Sequence, residues 1–283
     1  MIEKHLKESW GSEYVISPEE FFSFDDDYWR NKIYERSLLI FKEMKFNKPQ
    51  YVNFCKRFGR LWKKEDYIYS SEATESVEVE DQQYYISPFS NVLSRRLGNN
   101  SMPWHADIPN RDIDPYPMRS LWITKNPFPQ ISGKTSWLNL ELCFEYLNEH
   151  QKELLDKVEI IQQSWYEPGT DIKVFPFVKI HPITGKKSLR LNYYNDRNLK
   201  QEDAWIIGVK IDGVLQPDCS LIKDFLDHLE KEQALTYEHT WDNFDIAIYD
   251  NWPFVHRRTH IIAGPKGERH FYRVNIDHIP DNT

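Results

Sequence analysis

Between residues 119 and 276 the chain never holds one strand-like pattern for long before Pro, Gly, Asn or Asp interrupts it. The clearest runs are RSLWIT (Arg119 to Thr124), KVEIIQQSW (Lys157 to Trp165), SLRLNYY (Ser188 to Tyr194) and FDIAIYD (Phe244 to Asp250). Helical spacing intrudes in two places, LNLELCFEYLNEHQKELLDK and Ser220 to Lys231, where Leu221, Phe225 and Leu229 recur at i, i+4 and i+8. Many short strands with a few supporting helices predict a β-sandwich or jelly roll with its site at a sheet opening. No GxGxxG follows a strand and no GxxxxGK[ST] occurs, so the dinucleotide-binding and P-loop classes lack their signatures.

Upstream, residues 17 to 57 read as helical pieces. Ser17-Pro18-Glu19-Glu20 forms a capped start, and PQYVNFCKRFGRLW a short amphipathic helix ending near Gly59, with Lys56, Arg57 and Arg60 facing water. The acidic stretch from Glu72 to Gln83 predicts an exposed loop or β-excursion. A 40% hydrophobic content, 15% of residues aromatic, is ample for a large core, and a formal charge of -8 argues against nucleic acid or an anionic membrane as the main partner. Cys55, Cys143 and Cys219 are far apart and odd in number, which predicts buried thiols in a reducing, cytoplasmic setting. The first residues lack a signal-like apolar segment, and no apolar run approaches the ~18 residues of a membrane span.

The segment PWHADIP carries the first chemistry. In a strand, side chains two apart share a face, so His105 and Asp107 can converge on one cation while Ala106 points away. IYDNWPFVHRRTH offers a third ligand in His256, or in His260 four residues later. Two imidazoles and one carboxylate form the facial set that holds Fe(II) and leaves positions open, although Zn(II) takes the same donors. From Asp250 to Arg273 the charge turns basic, with five Lys or Arg against two acids. In a strand HFYRVNI, Arg269, Phe271 and Arg273 share one face, placing two guanidinium forks where carboxylates could be received.

With these motifs in this order, the chain resembles the TauD/TfdA-type Fe(II)- and 2-oxoglutarate-dependent dioxygenases over most of its length. PWHAD resembles the family's WHTD segment, GKTSW its GDT-containing segment, PFVKIHPITGKKSLRLN its PVVRTHPETGRKAL-type stretch, and DIAIYDNWPFVH its distal-histidine motif. The resemblance implies a mainly β fold with supporting helices: a cupin-like double-stranded β-helix (jelly roll) as one domain over 1–283. N-terminal helices and a helix-containing insertion between the ligand strands support it. It implies His105, Asp107 and His256 as metal and catalytic ligands, and Thr135 and Arg269, thirteen residues past His256, as 2-oxoglutarate contacts. Arg273 matches the second arginine of RxxxR and is expected to meet substrate, with Asn91 and Tyr84, and Tyr85 and Trp104 nearby, from the segment around the first ligand strand. His260 then falls outside the ligand set.

The implied cofactors are Fe(II) and 2-oxoglutarate, with dioxygen as co-substrate. The implied partner is a small anionic, carboxylate-bearing or amino-acid-derived metabolite, and homo-oligomerisation stays open. Because Asp107 is retained, where an iron halogenase of this type commonly lacks the carboxylate, hydroxylation of an unactivated C–H bond is the expected outcome. Desaturation or oxidative decarboxylation by the same chemistry, a zinc hydrolase and a non-catalytic cupin-like metabolite-binding protein are the alternatives. The chain departs from the pattern at Trp252, where the family often has Arg, at Ser132, where a second Gly is common, and in IPNRDIDPYPM, where Asn110, Arg111, Asp112 and Asp114 could line the opening.

Overall fold

A computed structural model describes residues 1–67, 74–90, 101–107, 117–163, 172–192, 205–262 and 267–278. The N-terminal part contains β1 (Ile2–His5), β2 (Ser12–Val15), α1 (Pro18–Ser23), α2 (Asp26–Arg36), β3 (Leu38–Phe41) and α3 (Lys48–Lys56). There follow β4 (Glu75–Val79), β5 (Gln82–Ser90), β6 (Met102–His105), β7 (Met118–Lys125), β8 (Thr135–Asn139), α4 (Leu140–Glu145) and α5 (Glu149–Leu155). Next come β9 (Val158–Gln163), β10 (Ile172–Pro176), β11 (Val178–Ile180), β12 (Lys187–Leu189), β13 (Ile206–Ile211), β14 (Val214–Leu215) and α6 (Ser220–Leu229). The last strands are β15 (Thr236–His239), β16 (Ile246–Tyr249), β17 (Phe254–Arg258) and β18 (His270–Ile276).

Two sheets carry the architecture. One runs β1-β2-β3-β16-β7-β18-β5-β4, the other β15-β8-β17-β6. Between them pack Ile123 of β7, Ala247 and Tyr249 of β16, Trp137 of β8 and Phe254 of β17. This is the jelly roll that the short, interrupted strands predict. The two-residue period sends alternate side chains to the two sheet faces. On β7, Met118 and Trp122 join the outer core beneath α1–α3, whereas Leu121 and Ile123 face the opposite sheet. Leu138 and Val255 turn outward from the smaller sheet into a third cluster with α4, α6, β9 and β13.

The local chemistry explains the boundaries. Ser17 caps α1 by accepting from the Glu20 N–H, and Asn47 with Gln50 closes a capping box on α3. The long helical reading after Leu138 divides in two, because Asn148 caps a new helix by accepting from the Gln151 N–H. The acidic stretch is a hairpin: Glu80 and Asp81, both at positive φ (51° and 63°), turn β4 into β5. Arg57 and Arg60 are not simply solvated, since they pair with Asp26 and Asp277. The buried stripe of α6 is Ile222, Leu226 and Leu229, rotated from the expected Leu221–Phe225 line. All three cysteines are buried and unbridged, and among the described residues no helix is long and apolar enough to cross a membrane.

Candidate active site

Strand pairing creates the first half of the site. β17 lies antiparallel to β6 with His256 opposite His105, and their ring centroids are 4.2 Å apart. Just past the end of β6, Asp107 brings Oδ2 to 3.7 Å from His256 Nε2, while Ala106 turns into the other core. One ligand atom from each of His105, Asp107 and His256 lies within 4.8 Å of the others, a set that could hold a metal ion. His105 Nδ1–H donates to the Pro103 carbonyl at 2.8 Å, which leaves Nε2 for a cation. Asn251 clasps the Asp107 backbone at both ends: its Nδ2 donates to the Asp107 carbonyl (2.8 Å), and its Oδ1 accepts from the Asp107 N–H (3.2 Å).

The protonation states suit ligation. Burial, reinforced by the neighbouring His105, drives the His256 imidazole down to about 3, and burial also lowers His105. For Asp107 burial acts upward, but its polar surroundings, the Arg119 guanidinium foremost, outweigh it and hold the carboxyl below its usual range. Two neutral imidazoles therefore face one carboxylate, as metal binding requires.

A second polar locus lies on β8 and β18. Arg269, buried just before β18, donates from Nη1 to the Gly133 carbonyl at 2.6 Å and sits over the rings of Phe271 and Trp241. Burial, then the nearby Arg258, pulls its guanidinium down to about 9. Thr135 is buried on β8, with Oγ1 accepting from Trp241 Nε1–H at 2.9 Å. The chain before it is zipped to the segment that follows β17: the Gly133 N–H donates to the His260 carbonyl, and Ser132 Oγ accepts from the Ile262 N–H. Ser132 thus supplies a hydroxyl anchor that a second glycine could not.

Arg273 lies inside the site, with Nη1 at 3.4 Å from Asp107 Oδ1 and its guanidinium 4.7 Å from the Phe89 ring centroid. Tyr84 is not brought there. Register sets Ser87 opposite Arg273, so Tyr84 falls on the other face of β5, packed on the outer core beneath Lys56. Trp104 likewise leaves the metal side, bonding Glu230 and packing in the outer cluster of the smaller sheet. His260 is exposed and outside the ligand group. Trp252 is buried, with Lys179 Nζ 4.6 Å from its ring centroid, so a cation packs on the aromatic that stands at the family's Arg position. Asn91, Asn110, Arg111, Asp112 and Asp114 lie outside the described residues.

Sequence reasoning misses Arg119. Wholly buried on β7, it places Nε 3.3 Å from Asp107 Oδ2. Its signal was a charge on the same strand face as Leu121 and Ile123. A second His-Asp-His group, His181, Asp250 and His278, has a structural explanation. His181 Nδ1 accepts the N–H groups of Ile183 and Thr184, so its proton is on Nε2, donated to Asp250 at 2.8 Å.

Residues 3–275 match the family described as taurine catabolism dioxygenase TauD, TfdA family. The chain belongs to the TauD/TfdA family. Among curated relatives, an alkylsulfatase of Acinetobacter baylyi is 26% identical over 180 residues, 56% of this chain and 52% of that protein. An (S)-phenoxypropionate/alpha-ketoglutarate-dioxygenase of Sphingobium herbicidovorans is 20% identical over 245 residues, 80% of this chain and 77% of that one. The chain thus spans about half the length of the first relative and three quarters of the second. Its fold is shared with the crystal structure of a putative alpha-ketoglutarate-dependent taurine dioxygenase from Burkholderia xenovorans, at TM-score 0.71 and 19% identity, covering 97% of this chain and 88% of that one.

The family's cofactors are Fe(II), 2-oxoglutarate and dioxygen, and this TauD/TfdA chain fits them on two observations. One is the donor set, two neutral imidazoles beside a carboxylate. The other is the cradle at Gly133, where a Cβ would fall 2.2 Å from Arg269 Nη1, so that a side chain there would displace the guanidinium. A zinc hydrolase needs the first of these and has no use for the second.

Proposed function

We propose that the protein uses Fe(II) and 2-oxoglutarate to oxidise an unactivated C–H bond of a small anionic metabolite, with hydroxylation as the outcome. The carrying observation is the combination of the His105–Asp107–His256 group with the buried Arg269 arm over Gly133. In this reading His105, Asp107 and His256 hold the metal, Arg269 receives the distal carboxylate of 2-oxoglutarate as a planar fork, and the Thr135 hydroxyl supports it. Together the bound cofactors supply the oxidising power, at the cost of one 2-oxoglutarate decarboxylated per turnover.

The protein's share is orientation. Asn251 fixes the backbone of Asp107, Tyr249 O–H donates to its carboxylate at 3.3 Å, and Arg273 stands where a substrate carboxylate or sulfur oxyanion could be aimed at the metal. The names of the two relatives, for an alkyl sulfate and a phenoxypropionate, also describe small organic anions. Retention of Asp107 favours oxygen insertion over halogenation, and desaturation or decarboxylation would begin at the same C–H bond.

Anaerobic addition of Fe(II) and 2-oxoglutarate should produce a visible metal-to-ligand charge-transfer band. Admission of labelled dioxygen with a panel of small organic anions should then give succinate above background and a product carrying one labelled oxygen. No band, or turnover independent of 2-oxoglutarate, would defeat the proposal.

A further inference from the structure

Two arginines, Arg36 at the end of α2 and Arg119 on β7, are buried in opposite ways. Arg36, in the N-terminal layer, spends its guanidinium on protein: Nε donates to Ser12 Oγ, Nη1 to the Glu8 carbonyl, and Nη2 to the carbonyls of Lys7 and Gly11. Arg119 is buried just as completely, yet Nη1 and Nη2 have no hydrogen-bond acceptor among the described residues. Nε meets Asp107 Oδ2 at 3.3 Å as an ion pair without a well-aligned hydrogen bond. A desolvated guanidinium with unspent donors is costly, so its retention calls for a partner.

The residue beside it has the same property. Asn275 is directly opposite Arg119 across the β7–β18 ladder, fully buried, and neither Oδ1 nor Nδ2 of its amide has a partner among the described residues. On the other side of Arg119 the register partner is Tyr249, whose hydroxyl already goes to Asp107. Two residues before Asn275 on the same face of β18 stands Arg273, which also reaches Asp107. Tyr249, Arg119 and Asn275 therefore form a polar row across three strands, next to the metal group and on the side of Arg273.

Charge gives this row its meaning. Asp107 can offer one negative charge to Arg119, to Arg273 and, in the reading above, to a divalent metal. Counting the metal as +2, Arg119, Arg269 and Arg273 as +1 each, Asp107 as −1 and 2-oxoglutarate as −2 leaves a surplus of about two positive charges in a low-dielectric pocket.

We propose that Arg119 and Asn275 form the specificity-determining end of the substrate pocket, binding an oxyanion headgroup with two or more oxygens while Asp107 is engaged by the metal. The guanidinium fork and the amide Nδ2 supply convergent donors in one cross-strand row, suited to a carboxylate, sulfonate, sulfate ester or phosphonate and unsuited to a neutral substrate. The inference rests on the dioxygenase reading, but it concerns residues that hold neither metal nor 2-oxoglutarate.

The test uses the full chain loaded with Mn(II) and 2-oxoglutarate, so that no turnover occurs. Acetate, methanesulfonate, methyl sulfate and methylphosphonate are titrated in by calorimetry, and the melting temperature is followed. At least one probe should bind the wild type, and the best one identifies the headgroup class. Arg119→Met, which keeps much of the side-chain volume, should weaken that probe by tenfold or more, while half-saturation of the Fe(II)–2-oxoglutarate band stays within about twofold. Asn275→Asp places a carboxylate beside Arg119; it should abolish probe binding without lowering the melting temperature. Failure of every probe to bind the wild type, unchanged probe affinity in both variants, or an equal loss of 2-oxoglutarate affinity would overturn the inference. Absence of the charge-transfer band in the wild type would instead sink the dioxygenase reading beneath it.

Discussion

Gly133 and Arg269 are fitted to each other: Arg269 Nη1 donates to the Gly133 carbonyl at 2.6 Å, and a Cβ on residue 133 would lie 2.2 Å from that nitrogen. Gly133 also has φ +64°, a conformation that disfavours any side chain. Gly133→Ala should strain the turn by about 1 kcal/mol and, more importantly, push the guanidinium aside. Titration of the charge-transfer band should show 2-oxoglutarate bound at least tenfold more weakly, with metal affinity nearly unchanged. Equal 2-oxoglutarate affinity would mean that Arg269 is not its anchor.

Asn251 exchanges two hydrogen bonds with the backbone of Asp107 across 144 residues of sequence. Asn251→Ala removes both while leaving every proposed metal ligand in place. Iron affinity should fall roughly 10–100-fold, the scale of losing an orienting contact behind a metal ligand. A competition titration against a chelator measures this, and Asn251→Asp, which keeps one acceptor, should recover part of the loss.

Much of this arrangement could be read in the residues. The shared face of His105 and Asp107 follows from local pattern, because strand period is a local property, whereas the choice of His256 over His260 and the role of Arg269 are what the family resemblance implies. Arg119 and Asn275 could not be found that way, since their significance arises from register between β7 and β18, which lie far apart in sequence. Tyr84 failed for the same reason: one step along β5 decides which face a side chain takes, and the pairing of Ser87 with Arg273 assigns Tyr84 to the outer core. The helix break at Asn148 was visible as an Asn between apolar turns, but periodicity alone runs across it.

His181 and Asp250 tie the stretch before β12 to the end of β16, immediately before Asn251. Burial pushes the Asp250 carboxyl up, but His278, His181 and the Trp252 N–H outweigh it and hold it below its usual value. A depressed folded pKa contributes stability that is fully present above the unfolded value of about 3.9 and is lost as pH falls through the folded one. His181→Ala should cost roughly 1.5–3 kcal/mol at pH 7, the scale of a hydrogen bond to a buried charge. Urea denaturation should show this loss shrinking as pH is lowered below about 4. A loss that persisted undiminished at low pH would show that His181 acts through packing and not through Asp250.

Arg273 stands between Asp107 and the substrate side of the site. Its Nη1 is 3.4 Å from Asp107 Oδ1, so without a substrate it leans on a proposed metal ligand. Burial draws its guanidinium down to about 10, which still leaves it charged at neutral pH. Once a metal draws on the Asp107 carboxylate, the Arg273 fork can receive a substrate headgroup, which aims the C–H bond. Arg273→Ala should therefore raise the substrate KM, or lower coupled product formation, by more than tenfold, with 2-oxoglutarate affinity comparatively unchanged. If Arg273 served only to hold Asp107, the same variant would lose iron affinity first and leave KM intact at saturating iron. Steady-state kinetics at saturating Fe(II), set beside a chelator competition on the same variant, separate the two. Equal KM and coupling in wild type and variant would remove Arg273 from the substrate pocket and leave the oxyanion to Arg119 and Asn275.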